Sequence, residues 1–447
     1  MNDLIIRGGQ VVRDGMAAPA EIAIKDGLIT EIASSVAGSA SEEIDAQGAW
    51  VFPGFIDDHV HFNEPGRDHW EGLATGSRAL ALGGGTCFFD MPLNSDPPVL
   101  NAERLREKRA VAEQKSILDF AIWGGLCPGH TDKINEMAEA GAIGFKAFLC
   151  HSGIEEFPAT DAKTLREGLT LAKRWNVPVG VHAEAPSVLD EYAASIPDQS
   201  LRSFFESRPK RAEVESIRMA CEIAGETGGK LHVVHVACAE GLAEIDKAKA
   251  AGVDVTSEVC PHYLLFEIEA ACRIGARAKC APSIRDRENL EALWASLLNG
   301  SVDLIGSDHS PAPPDMKTGE NFFAIWGGIA GCQHAAISFL GEFHRRAPER
   351  LPSAAAWLAG RSAQRFNVAK QKGKLAVGYD ADVTLVEFAQ QPPVMSASLA
   401  YHHPISLYEG YRPLSRVRDV IRRGKTLVRN GRLSHDSEPG RFIQPEV

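Results

Sequence analysis

The sequence has no C-x-x-C pair: its nine cysteines, in 447 residues, stand singly in apolar or small-residue settings such as VACAEG and AGCQHA. An odd, unpaired set excludes a disulfide framework and argues against a cysteine metal site, so the thiols read as reduced core residues. No apolar run reaches the roughly 18 residues of a membrane-spanning helix. The start, MNDLIIRGGQVV, lacks a basic n-region, an apolar h-region and a cleavage signature. These absences point to a cytoplasmic protein. Basic clusters are missing as well. With a formal net charge of −12 spread along the chain, nucleic acid and anionic membrane are poor partners, which leaves small molecules. No low-complexity tract interrupts a composition that is 44% hydrophobic and 24% charged, that of a globular, enzyme-sized protein.

What is present is an alternation. From Val51 to about residue 310, short apolar or β-branched runs alternate with longer amphipathic stretches, eight times over. The strand candidates are VFPGFIDDHVHF, TCFFDMP, DFAIWGGL, AIGFKAFL, VPVGVHAE, KLHVVHVA, DVTSEVCPHY and VDLIGSDHS, while NAERLREKRAVAEQK and RAEVESIRMACEIAGE have helical spacing. Near-continuous apolar strands suit a parallel sheet buried on both faces. Eight units suggest closure into a (β/α)8 barrel, with an open doubly wound sheet as the alternative. The ends differ. Residues 3 to 33 are short strands broken by Gly and Asp-Gly turns, and KGKLAVGYDADVTLVE and VRDVIRRGKTLVRNGRL share that texture. The expected architecture is α/β: a small β-sandwich built from residues 1–51 and 371–447, and a metal-dependent barrel over 52–370.

Functional side chains of such a barrel gather at the C-terminal ends of its strands. The first candidate strand carries His59 and His61, two apart and therefore on one face, able to aim at one metal ion. Alone, that pair reads equally as two surface histidines. The fifth strand ends at His182 and the sixth at His232 and His235, of which His235 lies nearer the end and is the better ligand candidate. The eighth ends at Asp308, which by itself is also a helix cap. Together these strand ends predict a metal site. Four histidines and one aspartate exceed the three protein ligands of a mononuclear catalytic zinc site, so two ions are expected. The fourth strand, where a bridging carboxylate is sought, offers only Lys146, in GAIGFKAFLC. An ammonium cannot ligate a cation. Two readings stay open: an ion-paired or catalytic amine, or an amine neutralised by burial that has captured carbon dioxide as a bridging carbamate. Glu64, Asn94 and Glu184 are candidates for orienting the ligands, and His262 and His309 for contacting substrate or backbone. Trp70 and Trp326 read as core.

These residues together resemble the amidohydrolase superfamily, in its cyclic-amidase branch of dihydroorotases, hydantoinases and allantoinases. The resemblance runs from GGQVVRDG to VIRRGKTLVRNGRL. It implies His59, His61, Lys146, His182, His235 and Asp308 as metal ligands, with Lys146 carboxylated to N6-carboxylysine as the bridge. His59, His61 and Asp308 would hold the more buried ion, and His182 and His235 the other. It also implies the barrel, the sandwich and a homo-oligomer, a tetramer being favoured. Imidazole and oxygen ligands suit zinc, with manganese, iron or cobalt as alternatives. The runs EPGRDHWEGLATGSRA, MPLN, EVCPHY, AKCAPSIRD, SDHSPAPPDMKTG and AIWGGIAG are similar to those of allantoinases. Dihydroorotases carry an Arg two residues after H-x-H for a substrate carboxylate, where Asn63 stands here. Dihydropyrimidinase-type hydantoinases place a Tyr after the lysine, where this chain reads FKAFLCHSG. The implied reaction is hydrolysis of the hydantoin ring amide of allantoin to allantoate by metal-activated water, with Asp308 as base and then acid. Asn63 and main-chain groups around Ser283, Gly327 and Gly328 would orient the substrate. The alternatives are a hydantoinase, dihydropyrimidinase or dihydroorotase, or a non-catalytic scaffold, for which gaps among the six ligands would be expected and none is seen.

Overall fold

The computed structural model describes residues 1–435 and 438–446. Every one of the eight candidate runs contains a strand, and we number these β1 (Phe55–Val60), β2 (Gly85–Asp90), β3 (Asp119–Ile122), β4 (Phe145–Phe148), β5 (Val179–His182), β6 (Leu231–Val233), β7 (Val255–Val259) and β8 (Leu304–Ile305). All pair in parallel. One sheet has the order β1-β2-β3, and the other runs from the Gly124–Gly125 pair through β4, β5, β6 and β7 to β8. Trp123 alone separates β3 from Gly124–Gly125, and Ile143 N donates to Ile122 O across that joint at 2.9 Å. Beyond β8, His309 O accepts from His61 N at 2.7 Å, next to β1.

The intervening helices start where the sequence supplies caps. Asn101 accepts from Arg104 N at the head of Ala102–Lys115, Asp161 from Thr164 N at Ala162–Ala172, and Asp286 from Asn289 N at Arg287–Asn299. Their apolar faces bury Leu105, Leu165, Leu169, Leu290 and Leu293 against the strands. Among the described residues no helix is long and apolar enough to cross a membrane.

The two ends meet in one nine-stranded sheet. N-terminal strands such as Asn2–Arg13 and Met16–Lys25 join C-terminal strands such as Val383–Phe388 and Ser415–Arg422 through Trp50–Pro53, which pairs with Asn2–Arg13 on one side and Val383–Phe388 on the other. Leu4, Ile6, Ile22, Ile24, Val51 and Leu385 form its own apolar cluster. The run VFPGFIDDHVHF is two strands rather than one. It divides at Gly54, where an added Cβ would lie 2.3 Å from the Thr86 hydroxyl, so the chain passes from one sheet to the other through a spot with room only for glycine. Asp119, at the start of β3, ties the units together. It accepts from Lys372 Nζ at 2.6 Å, Arg423 Nε at 3.1 Å and Arg441 N at 2.9 Å.

Candidate metal centre

The strand ends deliver their polar side chains to one cavity of about 380 Å³, lined by His59, His61, Lys146, His182, His235 and Asp308. Asp308 Oδ1 lies 3.2 Å from His59 Nε2 and 3.4 Å from His61 Nε2. His182 Nδ1 lies 3.1 Å from His235 Nε2. His59, His235 and Asp308 each present a ligand atom within 4.8 Å of the others. His235 and Asp308 have φ of 39° and 47°, left-handed conformations that side-chain-bearing residues seldom adopt outside sites that use the strain.

Burial sets the protonation states. It pushes His61, His182 and His235 below the ordinary imidazole range, His235 furthest, which leaves neutral rings suited to metal ligation. Burial works to raise Asp308, but the imidazoles of His59 and His61 hold it below the usual carboxylate range, so it is ionised at neutral pH. Lys146 is fully buried and burial brings its amine down to about 8, against the pull of Asp308 and Glu258. Nζ lies 5.0 Å from the centroid of the Phe148 ring. Among the described residues His59 Nε2, His61 Nδ1, His235 Nδ1 and Lys146 Nζ are buried without a hydrogen-bond partner. Unpaired buried nitrogens are costly. His59 Nε2 and His61 Nε2 converge on the ionised Asp308, and His182 Nδ1 converges with His235 Nε2, a donor set that fits divalent cations.

Two buried glutamates hold the imidazoles in place. Glu258 Oε1 accepts from His59 Nδ1 at 2.9 Å and from the main-chain N of His235 at 3.0 Å. Glu184 Oε2 accepts from His182 Nε2 at 2.7 Å and is clamped in turn by Arg208, through Nε at 3.1 Å and Nη2 at 2.5 Å. Burial would raise Glu184, but Arg208 and His182 bring it well below the carboxylate range. Each ligand nitrogen opposite these contacts is thereby aimed at the cavity.

The structure brings Gly327, Gly328 and Asn94 to the cavity but not Asn63 or Ser283, both fully buried behind its wall. Asn63 has φ of 66° and turns its Nδ2 towards Pro311 O at 3.4 Å. His232 lies behind the site, between Glu258 Oε2 at 3.5 Å and Thr256 Oγ1 at 2.9 Å. Glu64 accepts from Leu73 N and pairs with Lys115, and His262 and His309 are buried away from the cavity. Trp326, expected in the core, instead lines the cavity, with its ring against Trp70 at 4.9 Å. The sequence reading missed Glu258 and Arg208. Glu258 had a usable signal, a carboxylate inside the apolar run DVTSEVC; Arg208, in the polar stretch SRPKR, had none.

The model of the amidohydrolase family matches residues 50–427. Two proteins named allantoinase, from Solibacter usitatus (strain Ellin6076) and Rubrobacter xylanophilus, are each 46% identical to this chain, over 100% and 99% of it and 98% of their own lengths. A third, from Escherichia coli (strain K12 / DH10B), is 36% identical over 99% of this chain and 97% of its own. Among solved structures, the L-hydantoinase (dihydropyrimidinase) from Arthrobacter aurescens superposes with a TM-score of 0.96 at 28% identity, covering 99% of this chain and 100% of that one. The dihydropyrimidinase from Brevibacillus agri NCHU1002 gives 0.91 at 27% identity, over 100% and 99%. A match over most of the sequence, full-length relatives and a shared backbone agree with the polar strand ends: this chain belongs to the amidohydrolase family.

Proposed function

We propose that this cyclic amidohydrolase opens the hydantoin ring of allantoin by hydrolysis of a ring amide, giving allantoate. The observation that carries the reading is the convergence of four buried imidazoles and Asp308 on one cavity, found in a chain whose full-length relatives bear the name allantoinase. In this reading His59, His61 and Asp308 would hold one divalent cation and His182 and His235 a second, Lys146 as its carbamate would serve both, and zinc would be favoured over manganese, iron or cobalt by ligand type. When bound, the ions supply Lewis acidity, bringing the pKa of water from about 15.7 towards 7 and polarising the amide carbonyl.

The chain's own residues do the rest. Carbamate formation joins the Lys146 nitrogen to the carbon of carbon dioxide and releases a proton, and an amine that burial has brought down to about 8 is far more often neutral than a free lysine. Asp308, ionised and the most solvent-accessible of the ligand set at 14% side-chain exposure, takes the proton of the attacking water. It then delivers that proton to the ring nitrogen as the C–N bond breaks. Glu258 and Glu184 keep the imidazoles aimed while charge develops. Phe148, Phe204 and Trp326 supply apolar wall, and Gly327 and Gly328 bring main chain to the cavity surface.

For the scaffold we infer a (β/α)8 barrel over residues 52–370, with the terminal segments forming a separate sandwich. Support comes from the parallel pairing of successive strands and from the His61 to His309 hydrogen bond that links the first strand to the last. The deciding experiment assays purified, metal-loaded protein on allantoin, hydantoin, dihydrouracil and dihydroorotate. The expected result is two metal equivalents per chain and the highest kcat/KM on allantoin. Preference for another ring would overturn the substrate, and fewer than one bound equivalent would overturn the enzyme.

A further inference from the structure

We infer that Lys279 and Lys317 are positioning residues that fix the main chain of residues 323–328 as the wall that reads the substituent on the substrate ring. The inference rests on the allantoin reading above and assigns the part of the cavity that recognises the ureido group. The three sequence runs involved, AKCAPSIRD, SDHSPAPPDMKTG and AIWGGIAG, lie apart in the chain. The fold binds them to one another through main-chain carbonyls.

Lys317 Nζ donates to Trp326 O at 3.0 Å, to Ala276 O at 3.4 Å and to Gly328 O. Lys279 Nζ donates to Phe323 O at 3.4 Å and to Ile325 O, and sits 4.3 Å from the centroid of the Phe204 ring. Each ammonium has three N–H donors, and here all three are used: three carbonyls for Lys317, two carbonyls and an aromatic face for Lys279. Gly328 N donates back to Lys279 O at 2.9 Å, and Trp326 N to Met316 O at 3.0 Å. Among the described residues neither amine has a carboxylate partner within 4.0 Å. Burial works against the charged forms, bringing Lys279 down to about 8 and Lys317 to about 7, whereas donation to carbonyls favours the ammonium. Lysines usually keep the ammonium in water or pair it with an acid. Lys279, buried, and Lys317, half-buried, between them donate to four carbonyls of one segment, those of Phe323, Ile325, Trp326 and Gly328, and hold that segment still.

The segment adjoins the reacting groups. A Cβ on Gly328 would lie 2.3 Å from Ser310 O, two residues from Asp308, so the wall is packed directly on the β8 end. Trp326 packs on Trp70 at 4.9 Å and extends to where a Cβ on Gly153 would lie 3.9 Å from its ring, and among the described residues its buried indole N–H has no acceptor. Allantoin differs from plain hydantoin by a ureido group, whose carbonyl is an acceptor for that N–H. A wall that shifts by a fraction of an ångström takes the donor with it, whereas the ring amide at the metal centre is held by other groups.

The test compares wild type with Lys317→Met, Lys279→Met and Trp326→Phe, measuring KM and kcat on allantoin, the inhibition constant of plain hydantoin in the same assay, and bound metal. The expected result is a rise in KM for allantoin of about tenfold or more, a kcat within about threefold, two metals retained, and hydantoin binding changed by less than about threefold. Lys317→Arg, which keeps donors in place, should recover part of the lost affinity. Equal weakening for allantoin and hydantoin, or loss of metal, would show a general structural role and overturn the inference. If the lysine variants do not fold, Trp326→Phe decides, because an unchanged KM there removes the proposed contact. Wild type acting on dihydrouracil but not allantoin would sink the substrate reading by itself, and the same variants with substituted and plain dihydrouracils would still judge the wall.

Discussion

Glu258→Gln should weaken both metal ions together. One carboxylate oxygen, Oε1, serves His59 at 2.9 Å and the peptide N–H of His235 at 3.0 Å, so a single group supports a ligand assigned to each ion. Glutamine keeps the shape and an acceptor oxygen but removes the charge. Hydrogen bonds to charged groups contribute about 1.5–3 kcal/mol and neutral ones about 0.5–1.5 kcal/mol, so the loss is about 1 kcal/mol per bond. Two bonds give about 2 kcal/mol, roughly 30-fold in metal affinity, within the range expected when a group behind a ligand is altered. The amide nitrogen that replaces Oε2 faces His232 Nε2, which can accept from it, because His232 Nδ1 can donate to Thr256 Oγ1. The fold therefore survives the change. Glu258→Leu would do more damage, leaving His59 Nδ1 and the His235 N–H buried without acceptors at a further cost of about 1–3 kcal/mol each. Competition titration of metal-free protein against a chromophoric chelator measures both affinities. Wild-type affinity at both sites in Glu258→Gln would refute the reasoning, and weakening confined to one site would refute the shared oxygen.

Three further perturbations address other links. Lys146→Ala should lose bound metal and activity together, with partial return of both on adding a short carboxylic acid; two metals and full turnover in the variant would mark an ordinary buried lysine. Asp119→Asn should destabilise the protein at pH 7 by about 3 kcal/mol, measured by denaturant unfolding, because it takes the carboxylate from buried Arg423 and leaves Lys372 with only Asp380 and Asp382. Burial works to raise the pKa of Asp119, but Lys372, Arg423 and Arg422 hold it below the usual carboxylate value. Its contribution is therefore complete above about pH 4 and lost as pH falls further, so the wild type should lose stability there more steeply than the variant, and parallel slopes would contradict the assignment. Gly328→Ala should lower kcat/KM about tenfold or more, since its Cβ would meet Ser310 O at 2.3 Å, and Gly327→Ala should lower it less, its nearest neighbour being Lys279 Cε at 4.0 Å.

The candidate ligands were legible because strand and loop signals coincide there. A parallel strand buried on both faces reads as an apolar run, and a histidine or aspartate at its end stands out against that background. His59, His61, His182, His235 and Asp308 all satisfy this, and each lines the cavity. The substrate wall obeys no such period. Lys279, Lys317 and Trp326 lie in irregular segments, and what makes them matter is which carbonyls the amines reach, a property of tertiary contact alone. Asn63, two residues beyond His61, has a left-handed backbone, and its Nδ2 lies 3.4 Å from Pro311 O, a placement that depends on a turn rather than on strand period.

Lys146 and Glu258 separate the two kinds of information. Each is a charged residue in a buried strand, visible as such in FKAF and VTSEV. Strand periodicity establishes burial, and burial obliges a charge to find a partner or give up its proton. For Glu258 the partners are in place: His59 Nδ1 and the His235 N–H already occupy its oxygen, so its role is to hold ligands. Among the described residues Lys146 Nζ has no hydrogen-bond partner, and the carboxylate that acts on it most strongly, Asp308, lies between two imidazoles. A buried amine left in that state is unsatisfied as it stands. Conversion to a carbamate, as proposed, would give the same position two oxygen donors and a negative charge beside the imidazoles proposed as metal ligands, which is why the two otherwise similar residues receive opposite assignments.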